Sequence, residues 1–251
     1  MARRWGLTHD RRAPLTPDLT SFVCAQGEAQ CDLTVLRARD ALVRVRTQLI
    51  TAVRGLVKAT GARLPECSAE SFPRQADEAL PTMLRAALLP LLETVGELSR
   101  QIRGYDRQIA AMVARTPEAR VLQQPRGVGP ITALAFMLTI DDPHRFSRSR
   151  MVGPYFGLVP KRRQSGERDP ELHITKTGDR FVRKLLVQCA HYLLGPFGED
   201  SDLRRWGLRL AGEGSSARKR RAVVAVARKL ATLLHHLWVT GEVYEPLRRA
   251  G

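Results

Sequence analysis

The groups best suited to phosphodiester chemistry crowd between Gly157 and Gly178. The run Gly157-Leu158-Val159-Pro160-Lys161-Arg162-Arg163-Gln164-Ser165-Gly166-Glu167 places three consecutive cations just ahead of a serine that is followed by glycine. A second run, Ile174-Thr175-Lys176-Thr177-Gly178-Asp179, closes on another cation and another glycine. A serine oxygen attacking phosphorus needs positive charge nearby to offset the charge that builds in the transition state. Lys161, Arg162, Arg163 and Lys176 are of the right type to supply it. The step also needs a base or a metal to take up the proton. Taken alone, Ser165 fits a plain turn role equally, since serine beside glycine is a common turn pair. No Ser-x-x-Lys or Ser-His-Asp pattern supports acyl chemistry; His173 is close in sequence but has no evident carboxylate partner.

The elements that must hold these groups follow from the flanking pattern. Extended residues Leu172 and Ile174 suggest a small β-hairpin, and Asp179 reads as the N-cap of the next helix. That helix carries Arg180, Arg183 and Lys184 on its polar face and Val182, Leu185, Leu186, Cys189 and Tyr192 on its apolar face. Upstream, Pro125-Arg126-Gly127-Val128-Gly129-Pro130 lies between two helical patterns and reads as a helix-hairpin-helix. Gly127 and Gly129 would let backbone N–H groups approach a phosphate, although a tight turn without ligand fits the same spacing. Near the end, Ser215 or Ser216 caps a last helix whose first turn holds Arg218, Lys219, Arg220 and Arg221. Cations there oppose the helix dipole, so Lys219 and Arg221 suggest phosphate contact rather than helix support. Val223, Val226, Leu230, Leu233, Leu234 and Leu237 give that helix its buried face, and Gly241 ends it. Asp141 and Asp142, just before Pro143, read as turn and capping residues, and the adjacent His235 and His236 as structural.

Residues 1 to 31 show no periodicity and read as an irregular tail. From Asp32, two apolar rows repeat every seven residues: Val35, Leu42, Leu49, Leu56 and Leu36, Val43, Ile50, Val57. A second stripe runs from Leu84 to Met112, with a kink or restart expected at Pro90. Residues 32–116 are thus expected to form a long antiparallel helical hairpin or a dimerising coiled coil, and residues 120–247 a second, helical domain. The fold class is mainly α.

A chain of 251 residues with 43% hydrophobic side chains can bury a real core, so wholesale disorder is excluded. Its net charge of +16 points to a polyanionic partner, nucleic acid before an anionic membrane surface, since no apolar run approaches bilayer-spanning length. The basic start is not followed by a signal-peptide core, which favours a cytoplasmic location. Cys24, Cys31, Cys67 and Cys189 make no C-x-x-C pair and have no zinc-spaced histidine, so no metal site is expected from them.

Several ordered motifs resemble one family. Pro125 to Ala133, Gly157-Leu158-Val159-Pro160, Ser165-Gly166-Glu167, Ile174 to Gly178, Val224 to Ala231 and the Leu237-Trp238…Gly241…Tyr244 ending resemble the C-terminal domain of insertion-sequence transposases of the DEDD/serine class related to the Piv DNA invertases. The segment from Arg37 to Gly55 resembles what precedes that domain. The resemblance implies a DNA recombinase acting as an oligomer, with a structured guide RNA pairing to donor and target DNA. It implies Mg²⁺ held by four acidic residues of an N-terminal RuvC-like domain. It also implies a serine nucleophile that links transiently to DNA, here Ser165; the family's frequent Ser-Ser-Gly is Gln164-Ser165-Gly166 in this chain. A RuvC-like domain needs about a hundred residues. Only the short irregular tail precedes the first heptad, so the expectation is an N-terminally truncated copy that binds nucleic acid without cutting it alone. Two rivals stand beside this reading: a non-catalytic DNA- or RNA-binding module, and a base-flipping repair enzyme using Asp141 or Asp142.

Overall fold

The computed structural model describes residues 27–161 and 172–247, and 72% of these described residues are helical. The first heptad stripe becomes α1 (Gly27–Ala59), which starts five residues before Asp32. The second becomes α3 (Thr82–Arg115), which runs through Pro90 without restarting. Pro90 is exposed and leaves the buried row Leu88, Leu92 and Val95 intact.

α1 and α3 lie antiparallel, as three polar contacts along their length fix. Arg115 meets Asp32, Arg39 Nε lies 2.6 Å from Asp106 Oδ1, and Arg46 Nη1 donates to Ser99 Oγ at 3.1 Å. Arg46 also pairs with Glu70, as does Arg103, so a polar layer crosses the middle of the pair. Beyond that layer, the stretch between the two apolar stripes folds into α2 (Phe72–Ala79). Phe72 and Ala76 pack on Val53, Val57, Leu88, Leu92 and Val95 as a small separate core, with Arg54 stacked over the Phe72 ring.

The larger core begins at the other end of the pair, where Leu33, Leu36, Ile109 and Met112 meet the rest of the chain. α4 (Pro117–Leu122) leads into α5 (Pro130–Ile140), whose residues 132–137 are all buried. α6 (Val152–Tyr155), α7 (Arg180–Leu194), α8 (Asp202–Ala211) and α9 (Ser216–Thr240) close around it. Each fully buried Leu, Ile, Val or Phe here contributes about 1.5–3 kcal/mol, so this core sets the stability of the fold. By length and composition α9 could cross a bilayer, but half of that apolar window is buried inside the protein.

The helix ends follow side-chain chemistry. Asp179 accepts from Val182 N at 2.8 Å, Ser201 from Arg204 N and Ser215 from Arg218 N, while Gly241 closes α9 in the left-handed region. Asp142 accepts from His144 N at 2.8 Å, a turn role. His235 is buried and lies between Ser149 Oγ (3.0 Å) and the Pro143 carbonyl (2.8 Å), a structural role.

The expected β-hairpin is corrected to something smaller. Among the described residues there is no strand, only one antiparallel bridge between Pro160 and Ile174. Gly157 and Lys176 both take positive φ, so the ladder does not run back from the bridge.

Candidate nucleic-acid interface

The base of the basic loop is built from backbone contacts. Lys161 N donates to His173 O and Thr175 N to Val159 O, both at 2.9 Å, and Lys176 N donates to Gly157 O at 3.2 Å. Below this stem the two chain segments cross in close contact. A Cβ on Gly157 would strike the Thr177 backbone, and one on Gly178 would strike the Tyr155 carbonyl oxygen. Arg183 ties the crossing together, its Nη1 donating to Thr177 O at 2.7 Å and to Phe156 O at 3.1 Å. Burial lowers the pKa of Arg183, with Asp179 opposing that shift.

Ser165, Arg162 and Arg163 lie outside the described residues. Lys161 and Lys176 stand exposed on the two arms of the stem, and Arg180 is exposed in the first turn of α7. Lys176 has φ 58, a strained conformation for a residue with a side chain, held where the backbone must turn back under the loop. Arg183 and Lys184 have partners inside the protein: Arg183 those carbonyls, Lys184 the Asp40 carboxylate of α1. A second tie from α1 joins Arg37 to Asp179.

The Gly127–Gly129 turn also differs in detail from its expected use. Gly127 has φ 90, and a Cβ there would lie 2.6 Å from the Tyr192 ring, so this glycine makes room for an aromatic of α7. Gly129 caps α5 without help from any side chain and faces open space. Arg126 pairs with Glu199 at 3.0 Å.

At the start of α9, Arg218, Lys219, Arg220 and Arg221 are all exposed, and Arg218 Nε donates to Leu210 O at 3.0 Å. Three turns further on, Arg228 lies against Gly153 of α6. The helix rises 1.5 Å per residue, so about 15 Å separates Arg218 from Arg228. Arg228 sits between the basic helix start and the stem that follows α6. The sequence motifs that include Arg228, Arg37 and Tyr192 do not show these contacts, because each acts on a residue far away in the chain.

Among the described residues no three His, Cys, Asp or Glu side chains converge. These residues form no Mg²⁺ cradle. Burial raises the pKa of the Cys189 thiol, whose sulfur lies 3.6 Å from Thr132 Oγ, so the thiol stays protonated near neutral pH.

Residues 119–199, which include the Gly127–Gly129 turn, the stem and α7, match the family model of the IS116/IS110/IS902 transposases. Over 89% of its length the chain is 30% identical to the transposase of insertion element IS1111A from Coxiella burnetii, covering 63% of that protein. It is 29% identical over 92% of its length to a probable family 20 transposase of Pseudomonas aeruginosa, covering 70% of it. It is likewise 29% identical over 89% of its length to the transposase of IS1328 from Yersinia enterocolitica, covering 67%. The chain spans less than two thirds of the Coxiella protein and 57% of a putative transposase of Sinorhizobium fredii. Residues 119–199 are thus similar to the IS116/IS110/IS902 transposase family, and most of the chain is similar to transposases of insertion sequences.

Proposed function

We propose that the chain works in transposition of an insertion sequence, with Ser165 as the nucleophile that joins to a DNA strand. The observation that carries this reading is that the family match encloses both the clamped stem and residues 162–171, which contain Ser165. Lys161, Lys176 and Arg180 at the stem, with Arg162 and Arg163 in the loop, would offset charge on the attacked phosphate. Gly127 to Gly129 forms the helix-hairpin-helix contact, and the start of α9 extends the basic track. A structured guide RNA selects the target. The α1–α3 pair engages a second copy as a coiled coil, the complex works in the cytoplasm, and Mg²⁺ would be held by the four acidic residues of the RuvC-like domain that the resemblance implies.

A transposition assay in cells tests the nucleophile. Ser165→Ala is expected to abolish joined products while the purified variant keeps its affinity for element-end DNA. Joined products at the unsubstituted level would sink the assignment. The second reading, a binding module without chemistry, draws on the lack of a converging carboxylate set among the described residues. It predicts salt-sensitive affinity and no joined product even with Ser165 present.

A further inference from the structure

Between α1, the start of α5 and α7 lies a cleft of about 380 Å³, within the range of small-ligand sites. We infer that this cleft takes one unpaired nucleotide of a single strand, stacked on Tyr192. The inference deepens the nucleic-acid reading above and rests on it. Its walls are apolar: Leu36 and Val43 from α1, Ile131 from α5, Phe181 and Leu185 from α7. Its rim on α7 is ordered. Lys184, Gln188 and Tyr192 follow at intervals of four and all line the cleft, so a cation, an amide and an aromatic ring stand in one row along one helix face.

That row matches the parts of a nucleotide. Tyr192 is 43% exposed although it closes an apolar cleft, and Gly127 gives up its Cβ position to hold one edge of the ring. Such a ring offers a stacking surface of the kind that binds bases regardless of sequence. Gln188, exposed one turn earlier, carries both donor and acceptor and can pair with a base edge. Lys184 stands a further turn back on the rim, already paired with the Asp40 carboxylate, so the strand's phosphate draws little from it. Bases in a duplex are stacked on one another and hide their faces, so a cleft bounded by two helices accepts only an unpaired one.

The charges define how this site differs from the basic track. Lys184 is held by Asp40, and Arg39 on the opposite wall by Asp106, so the cleft carries little net charge. Its affinity therefore comes from stacking, and abolishing it should leave the salt dependence unchanged.

The test uses labelled single strands of about twelve nucleotides, as DNA and as RNA, beside a duplex of the same sequence. Tyr192→Ala is expected to weaken single-strand binding roughly tenfold, the size of one base–aromatic stack, with the salt slope and duplex affinity unchanged. Tyr192→Phe should bind as the unsubstituted chain does. An oligonucleotide carrying 2-aminopurine should be quenched by the unsubstituted protein and by Tyr192→Phe. The arm, DNA or RNA, in which the effect is larger names the strand. Unchanged single-strand affinity in Tyr192→Ala, an equal loss for single strand and duplex, or no quenching by the unsubstituted protein would overturn the inference. None of these readouts uses Ser165, so a failed transposition assay leaves the cleft standing, and a failed binding assay leaves the nucleophile standing.

Discussion

Arg37, on the first long helix, reaches Asp179 at the start of α7, with Nη2 2.7 Å from Oδ2 across 142 positions of chain. The same carboxylate caps α7 through Val182 N, so one side chain both starts the helix that follows the stem and anchors it to α1.

Removing that carboxylate should separate its two roles. The cap is worth about 1 kcal/mol, and the pair at most about 1 kcal/mol because Arg37 is 44% exposed and screened by solvent. Asp179→Ala should therefore lower stability by about 1–2 kcal/mol in urea unfolding. Asp179→Asn keeps the cap and should lose only the smaller part.

Gly178 and Gly241 share a left-handed φ but differ in surroundings. A Cβ on Gly241 meets nothing within 4 Å, so Gly241→Ala should cost about 1 kcal/mol, the left-handed penalty alone. A Cβ on Gly178 meets the Tyr155 carbonyl, and the crossing must open to admit it. Gly178→Ala should lower the melting temperature far more than Gly241→Ala, and equal shifts would refute the tight crossing.

His235 makes stability fall on the acid side of neutrality. Its Nε2–H donates to the Pro143 carbonyl and its Nδ1 accepts from Ser149, an arrangement of the neutral ring. Burial lowers its pKa below the ordinary 6.5, opposed by the Pro143 hydrogen bond and assisted by the nearby charges of His144 and His236. The unfolded chain therefore binds this proton first. Stability should be full above about pH 6.5 and decline as pH falls below it, until the folded ring also titrates. In His235→Gln that part of the decline should vanish in a pH series of denaturant melts.

The cations at the start of α9 should show in salt titrations. Every cation that neutralises a phosphate of duplex DNA adds about 0.9 to the steepness of log affinity against log salt. Lys219→Ala with Arg220→Ala should flatten the slope by up to twice that figure if both touch phosphates. Tyr192→Ala should not flatten it.

Much of this architecture could be read from the residues. The two heptad stripes became α1 and α3, Asp179 and Ser215 capped the helices they precede, and Gly241 ended the last one, because each of these signals is local. What escaped was set at long range. α2 sits in a Ser- and Pro-rich stretch and folds because Phe72 finds Val53 and Leu92 waiting. The extended residues around Ile174 suggested a hairpin, but positive φ at Gly157 and Lys176 leaves one bridge. Arg183 looked like a phosphate ligand beside Arg180, yet its guanidinium is spent on two carbonyls that only the folded crossing brings together. Gly127 suggested phosphate access, and its partner proved to be a ring 65 positions away. Ser165 lies outside the described residues, so its standing still rests on the sequence around it.

The polar layer across the α1–α3 pair makes those helices a keyed shaft. Arg46 reaches Glu70 and Ser99, and a slide of one helix along the other would strand its guanidinium against apolar neighbours. From Leu36 to Val53 the shaft measures about 25 Å at 1.5 Å per residue. A sideways push on the far tip would therefore arrive at the other end as torque on α7, through the Arg37 and Asp40 attachments.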